Sequence, residues 1–479
     1  MRLSKLIKGL KAKQILNFVD CNIYNLSMSS NSIDENGLFF AIKGNNVNGE
    51  DFVCDAIAKG CVAVVSVNPL NVEIPQIIVE DVRIALSVIC RNFYNKCDEK
   101  LKIISVVGTN GKTTTSTLIY NILRYSGKSV GLIGTNGVYI NDLHLPNDMT
   151  TPDTIDLFYN LNQMVLFGVK YVVVEVSAHA IYYNKLYGIK SDIGVFTNIS
   201  NEHLDFFGNM ENYAKTKCGY FSKTNMKECV VNVDDEYGKK IAYDSGVPCL
   251  SYGLAYPSNA FAINIAMTMK GSSFVVNVEN DVFKVKTNFV GEYNVYNVLA
   301  SICVAKLLKI STRNIVNALA KTDGVDGRWQ VFDFSNDRKV IIDYAHTPDG
   351  FEKVLSITKS LRPNGKLYTL FGCVGYSDKE KRAEMGRVAS KYSDYVVLST
   401  DNLCGRDFDE VCDDIVVTVP NTRIKDRETA VNFAFQKLND GDTLILLGKG
   451  NETKQKDNEI CDYNEIEVVK KLKEKDDDK

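Results

Sequence analysis

The seven residues Gly108-Thr-Asn-Gly-Lys-Thr-Thr114 constrain the fold more than any other segment of the chain. They follow Lys102-Ile-Ile-Ser-Val-Val107, an apolar, β-branched run of the kind that is buried on both faces of a parallel sheet. An apolar-periodic stretch from Thr114 to Tyr125 comes next and reads as a helix. A glycine-rich turn between such a strand and a helix start points its backbone amides inward and adds the positive end of the helix, which makes a cradle for phosphate. Lys112 is placed to reach β- and γ-phosphates, and the Thr113 hydroxyl to hold Mg²⁺. The spacing is the short G-x-x-G-K-T, since the longer G-x-x-x-x-G-K-[ST] would need glycine where Val106 stands. Gly108, Thr109, Asn110, Gly111, Lys112, Thr113 and Thr114 are therefore candidate nucleotide ligands.

Similar strand runs recur at Val130 to Ile133, Tyr171 to Val176, Asp192 to Thr197 and Glu228 to Val233, with a helical segment from Thr154 to Phe167 among them. This alternation predicts a doubly wound α/β domain. Before it, Gly37 to Ile42 and Val62 to Val67 read as short strands and Val53 to Lys59 as a helix. Phe261 to Val290 reads as an antiparallel flap, followed by a helix from Val295 to Leu308. A further βαβ series opens near Val331, with strands at Val340 to Asp343, Lys366 to Phe371, Tyr395 to Ser399 and Thr443 to Leu447. The charged end, Lys470 to Lys479, reads as a frayed, solvated tail.

With 479 residues, several domains are expected rather than one core. A net charge of −3 offers no basic footprint for nucleic acid. The basic N-terminus lacks the apolar stretch of a secretion signal, and no uncharged run approaches the roughly 18 residues that cross a bilayer. The thirteen cysteines are odd in number and form no C-x-x-C, so free thiols in a reducing cytoplasm are expected and a zinc site is not.

Three of the four histidines follow strand ends, where α/β sheets form their ligand crevices. They are His179 in Glu175-Val-Ser-Ala-His179, His203 in Asn201-Glu-His-Leu-Asp205, and His346 in Asp343-Tyr-Ala-His346. His144, in a polar stretch read as a loop, invites no role. Glu175, at a strand end, is a candidate second Mg²⁺ ligand beside Thr113.

The motifs GTNGKTT at Gly108, MTTPD at Met149, EVSAHA at Glu175 and FTNISNEHLDFFG at Phe196 stand in one order with GEYNVYN at Gly291, DGRW at Asp326, DYAHTPDG at Asp343 and GKGNE at Gly448. On these residues the chain resembles, nearly end to end, the Mur ligase family, of the MurE type. The resemblance implies an α/β fold of three domains: a UDP-sugar-binding domain over residues 1–100, a central phosphate-loop ATP-binding domain over 101–328, and a C-terminal Rossmann-like amino-acid-binding domain over 329–479. It implies an ATP-dependent, ADP-forming ligase that adds a diamino acid, L-lysine or meso-diaminopimelate, to UDP-N-acetylmuramoyl-L-alanyl-D-glutamate through an acyl phosphate. A cytoplasmic monomer is expected, with no nucleic-acid or membrane partner.

The resemblance also implies residue roles. Thr113, Glu175, His203 and Lys217 would serve Mg²⁺, Lys217 as a carbamate, because a free ammonium repels the ion. Lys215 is a nearby decoy for that lysine. Lys112, His203, Lys217, Asp343 and His346 form the catalytic set. Asn294, Asn297 and Arg328 would contact the adenine nucleotide. Ser30, Thr150, Thr151, Ser177 and Lys185 would contact the UDP-sugar peptide. Arg382, Asp401, Asn402, Arg406, Gly448 and Glu452 complete the substrate set, with Glu452 facing a substrate ammonium.

Four departures bear on specificity. The family's N-terminal Asp-Ser-Arg is Ser29-Ser-Asn31, and Lys185 stands for an arginine, which keeps charge without a bidentate grip. The stretch after Gly372 lacks the family's arginine at Ser377 but keeps Arg382. The Asp-Asn-Pro-Arg that clamps diaminopimelate is here Asp401-Asn-Leu-Cys404, with Arg406 two positions late. Two alternatives stay open: a divergent ligase forming another peptide or cofactor amide, and a catalytically silent phosphate-loop regulator. The retained Lys112, Glu175, His203 and Lys217 speak against the second.

Overall fold

The computed structural model describes every residue except Asn45, Asn46, Asp148, Ser377, Asp378, Asn458, Asp478 and Lys479. Three large sheets follow one another along the chain, with a two-stranded one, Lys454–Lys456 and Ile460–Asp462, after them. The first has five strands between Ala12 and Val79 and is parallel except for its Ala12–Leu16 edge. The second has eleven strands between Lys102 and Thr287, and the third has six, five between Gln330 and Arg423 and the sixth, Thr443–Leu447, inserted among them.

The phosphate-loop strand Lys102–Val107 lies in the middle of the second sheet, parallel to Tyr171–Val176 on one side and Ser191–Phe196 on the other. All but the first of its residues are buried, as the β-branched run predicts. The helices Lys112–Tyr125 and Glu292–Leu307 cover one face through Leu118, Ile122, Val298 and Ile302. Helix Thr154–Leu166 covers the other, in a core continuous with that of the first sheet through Leu86, Ile89 and Phe158. The flap expected after Phe261 is three antiparallel strands, Ala260–Thr268, Gly271–Val278 and Asp281–Thr287, that extend the same sheet.

Two expectations are corrected. The charged end is a helix, Glu465–Asp477, because Ile466, Val468, Val469 and Leu472 recur at helical spacing and bury one stripe among the lysines. His144 lies in a short strand, Leu143–Leu145, stacked on the Tyr139 ring with centroids 4.3 Å apart. The thirteen cysteines are free, and among the described residues no helix is long and apolar enough to cross a membrane. Ser377, where an arginine was expected, lies outside the described residues.

Candidate active site

The loop Gly108–Gly111 leaves the central strand with φ +157° at Gly108 and +85° at Gly111. The Gly111 conformation is one that residues with a Cβ rarely adopt. Asn297, from the covering helix, packs against Gly111 so closely that a Cβ there would collide with its Oδ1. That oxygen accepts from Thr115 Oγ1 at 3.2 Å, and Asn297 Nδ2 donates to Asn294 Oδ1 at 2.9 Å. Both asparagines thus brace the loop from behind. Lys112 Nζ donates to the Gly108 and Thr109 carbonyls at 2.9 and 2.8 Å. Burial lowers its pKa from the usual lysine range, against the charges of Glu202 and Glu175.

Glu175 is next to last in the neighbouring strand Tyr171–Val176 and is buried against the start of the loop helix. Its Oε2 accepts from Thr113 Oγ1 at 2.9 Å and from Thr135 Oγ1 at 3.0 Å, and its Oε1 from Ser116 Oγ at 3.2 Å. Burial pushes the carboxyl up, opposed by the Lys112 charge and these hydroxyls. The Thr113 hydroxyl and this carboxylate are adjacent hard oxygen donors, the kind magnesium takes, so they fit that ion. Among the described residues no three His, Cys, Asp or Glu side chains gather as a metal nest, which leaves most of a magnesium shell to water and substrate oxygens.

Across the loop, Lys217 lies on the inner face of the helix Met210–Tyr220, 1% exposed, while Lys215 is exposed. Its Nζ donates to Thr109 Oγ1 at 3.2 Å and to the Tyr213 hydroxyl. No carboxylate pairs with it among the described residues. Burial, with the positive charge of Lys112 behind it, holds its pKa well below the usual lysine value of 10.5. Burial thus favours the uncharged amine over the ammonium.

Glu202, which sequence reasoning passed over in favour of its neighbour His203, is the centre of this cluster. Its carboxylate accepts from Tyr213 Oη at 3.2 Å and from His346 Nε2 at 3.2 Å. Burial alone would raise its pKa, but the His346 hydrogen bond and charge outweigh burial and hold it well below the carboxylate range. His203 adopts a left-handed conformation, φ +56°, ahead of the short helix Leu204–Phe207. Its ring is edge-on to His179, centroids 4.8 Å apart. Burial of the ring's inner side, with the charges of His179 and Lys112 and against that of Glu202, holds its pKa to about 4, so the imidazole is neutral and able to ligate. The signal for Glu202 was an acid beside a histidine at a strand end; its partner His346 comes from 144 positions later.

Asp343 ends the Lys339–Asp343 strand of the third sheet, buried, and accepts from the Trp329 and Ala345 amides at 2.8 and 2.7 Å. Burial raises its pKa against the Arg328 charge. Arg328 lies over the Tyr344 ring, 4.0 Å from its centroid. A second link to the loop comes from Asp349, whose Oδ2 accepts from Asn110 Nδ2 at 3.2 Å.

The candidate substrate residues fall into three places. Thr150, Thr151, Ser177 and Lys185 adjoin Glu175: Thr150 Oγ1 is 3.0 Å from Thr135 Oγ1, and Thr151 Oγ1 donates to the Glu175 carbonyl at 2.8 Å. Ser177 caps a short helix, and Lys185 pairs with Asp153 at 2.7 Å. Ser30 is buried in the first sheet's loop Ser29–Ser32, apart from these. At the C-terminal ends of the third sheet, Asp401, Asn402, Gly448 and Glu452 converge around a fully buried Lys449. Its Nζ donates to Glu452 Oε2 at 2.7 Å and Asn402 Oδ1 at 3.1 Å. Arg382 instead binds Asp414 at 2.7 Å and the Gly375 carbonyl at 2.6 Å, and Arg406 is exposed.

Comparison with known proteins agrees with this arrangement. Three family models match in series: "Mur ligase family, catalytic domain" over residues 22–103, "Mur ligase middle domain" over 106–305 and "Mur ligase, glutamate ligase domain" over 327–450. UDP-N-acetylmuramoyl-L-alanyl-D-glutamate–2,6-diaminopimelate ligase 1 of Clostridium acetobutylicum is 36% identical over 98% of each chain. The ligase of the same activity from Caldanaerobacter subterraneus is 37% identical, over 98% of this chain and 99% of its own. A solved diaminopimelate ligase of that name superposes with a TM-score of 0.68 at 26% identity, covering 96% of this chain and 97% of the other. The MurF ligase of Thermotoga maritima, solved with ADP, shares the fold at a TM-score of 0.64 and 19% identity, covering 94% of this chain and 97% of its own. Matched in all three sheets, and by relatives of its own length, the chain belongs to the Mur ligase family.

Proposed function

We propose that this ligase adds a diamino acid to UDP-N-acetylmuramoyl-L-alanyl-D-glutamate, with ATP as co-substrate, as the third residue of a peptidoglycan peptide. The curated relatives named for this reaction cover nearly the whole chain, which favours it over another amide. The work divides over residues 1–100, 101–328 and 329–479: nucleotide sugar, ATP and amino acid. A monomeric cytoplasmic enzyme fits such soluble substrates.

Transfer of a γ-phosphoryl group to a carboxylate brings two anions together, so cationic groups must line the approach. Lys112 supplies one. Magnesium, held by Thr113 and Glu175, would supply charge neutralisation at the phosphates. The observation that carries the reading is Lys217, a buried amine beside the phosphate loop with no carboxylate partner among the described residues. In its deprotonated form, which burial favours, it can attack CO₂, forming an N–C bond and releasing one proton, and the resulting carbamate is an anionic oxygen ligand. Neutral His203 is a second ligand on the same side. Once the substrate carboxylate has taken the γ-phosphoryl group and ADP is formed, the amino acid's amine attacks the acyl carbon, the amide N–C bond forms, and inorganic phosphate and a proton leave. Asn402 and Glu452 are suited to receive that amino acid, because their acceptor oxygens suit an ammonium group.

The test is phosphate release from ATP, Mg²⁺ and the UDP-linked dipeptide against a panel of single amino acids. Release that requires the dipeptide and one diamino acid supports the reading and identifies the amino acid. Protein that binds ATP but releases nothing with any of them would move the assignment to a divergent ligase.

A further inference from the structure

Two fully buried ionic groups lie outside the site described above. Arg427 opens the helix Arg427–Gln436 and Glu465 opens the final helix, and both side chains are 0% exposed. Arg427 Nε donates to Glu465 Oε1 at 2.8 Å. Taking two charges out of water costs several kcal/mol per ion, and a well-packed apolar pair is often at least as stabilising. Stability alone gives such a pair no purpose here.

The remaining donors show what it holds. Arg427 Nη1 donates to the Thr400 carbonyl at 3.0 Å and Nη2 to the Leu447 carbonyl at 2.8 Å. Thr400 immediately precedes Asp401-Asn402, and Leu447 immediately precedes Gly448-Lys-Gly-Asn-Glu452. The strands that end there, Tyr395–Leu398 and Thr443–Leu447, are not neighbours: Leu367–Phe371 lies between them and pairs with both. No ladder bond joins them, and two strand spacings of about 4.8 Å separate them. One guanidinium spans that gap.

We propose that Arg427, anchored by Glu465, is a positioning residue for the incoming amino acid, fixing the separation of the two loops that carry Asn402 and Glu452. The inference rests on the amino-acid reading of that corner given under the proposed function. At Asn402 and Glu452 the loops meet through single hydrogen bonds, Asn402 Nδ2 to Glu452 Oε2 at 3.1 Å and Lys449 Nζ to each of the two side chains, and farther out through the amides of Lys456 to Asn402 Oδ1 and of Cys404 to the Lys456 carbonyl, both at 2.9 Å. A drift of about one ångström breaks such bonds. The planar fork reaches three acceptors spread around its rim from three nitrogens, a span that the single nitrogen of a lysine at this position lacks. Glu465 thereby ties the last helix of the chain to the chemistry of the third sheet.

The test uses full-length enzyme, ATP, the UDP-linked dipeptide and whichever of meso-diaminopimelate or L-lysine the wild type consumes, each varied in turn. Arg427→Lys keeps the charge and loses the fork. It is expected to raise KM for the amino acid roughly tenfold while KM for ATP and for the dipeptide change by less than about twofold. Glu465→Asp, which keeps the charge and withdraws the anchor by one methylene, is expected to shift the same constant in the same direction, and it decides the matter if Arg427→Lys does not fold. An amino-acid KM left unmoved, or three KM values rising together, overturns the inference alone. A wild type without amino-acid-dependent phosphate release overturns the functional reading and the inference with it.

Discussion

His346 Nε2 donates to Glu202 Oε1 at 3.2 Å, joining the third sheet to the second, while its Nδ1 donates to the Tyr344 carbonyl at 2.9 Å. Removing either partner should let the third sheet settle away from the phosphate loop. His346→Ala and Glu202→Gln are each expected to lower kcat by about 10²-fold, the usual cost of a misplacement of about an ångström, in steady-state phosphate release.

The same carboxylate sets an acid limit. The folded pKa of Glu202 is depressed, so its contribution to stability is full above the ordinary value of 4.5 and is lost as pH falls through the lower folded value. The gap in thermal midpoint between wild type and Glu202→Gln is expected to hold at neutral pH and to close below about pH 4.5. A gap that widened on acidification would contradict it.

Lys217→Ala is expected to lose about 10²–10³-fold in turnover, since it removes the carbamate oxygen that would hold Mg²⁺ at the reacting phosphates, while ATP still binds in calorimetry. Added acetate should restore part of the rate. Because the folded pKa of Lys217 is depressed, the unfolded chain binds the extra proton, and wild-type stability should rise with pH towards 10.5 more than that of the alanine variant.

Gly111→Ala puts a Cβ into Asn297 Oδ1 at a residue with φ +85°. The conformation alone costs about 1–2 kcal/mol. A lower thermal midpoint together with weaker ATP binding is expected. A lower midpoint with unaltered ATP affinity would show that Asn297 does not brace the loop.

Glu175→Gln removes the charged oxygen beside Thr113. The Mg²⁺ concentration for half-maximal rate is expected to rise about 10–100-fold at saturating ATP, the range found when a ligand or its support is lost.

Much of this was legible because local chemistry and tertiary role coincide. The run at Lys102–Val107 is buried throughout because its neighbours cover both faces, and the glycines at 108 and 111 are required by backbone angles that any reader of the motif would expect. Glu202 was not legible, because its importance comes from His346, which the third sheet delivers from far along the chain. Arg427 and Glu465 were hidden for the same reason: each is an ordinary charged residue at a helix start until the fold encloses it. The final helix was misread because lysines and acids outnumber its apolar stripe, although four apolar residues suffice to dock it. His144 was misread because a three-residue strand leaves too little periodicity to see.

Glu175 pairs in register with Val106, and Val174 with Ile133 on the other flank. Parallel strands present alternate side chains to opposite faces, so slipping one strand by a single residue would turn Glu175 away and offer Thr113 a valine. The sheet therefore works as a vernier. Its hydrogen-bond ladder is graduated in steps of about 3.3 Å, and the only setting that brings the carboxylate onto the loop hydroxyl is the one the buried valines on both flanks already enforce.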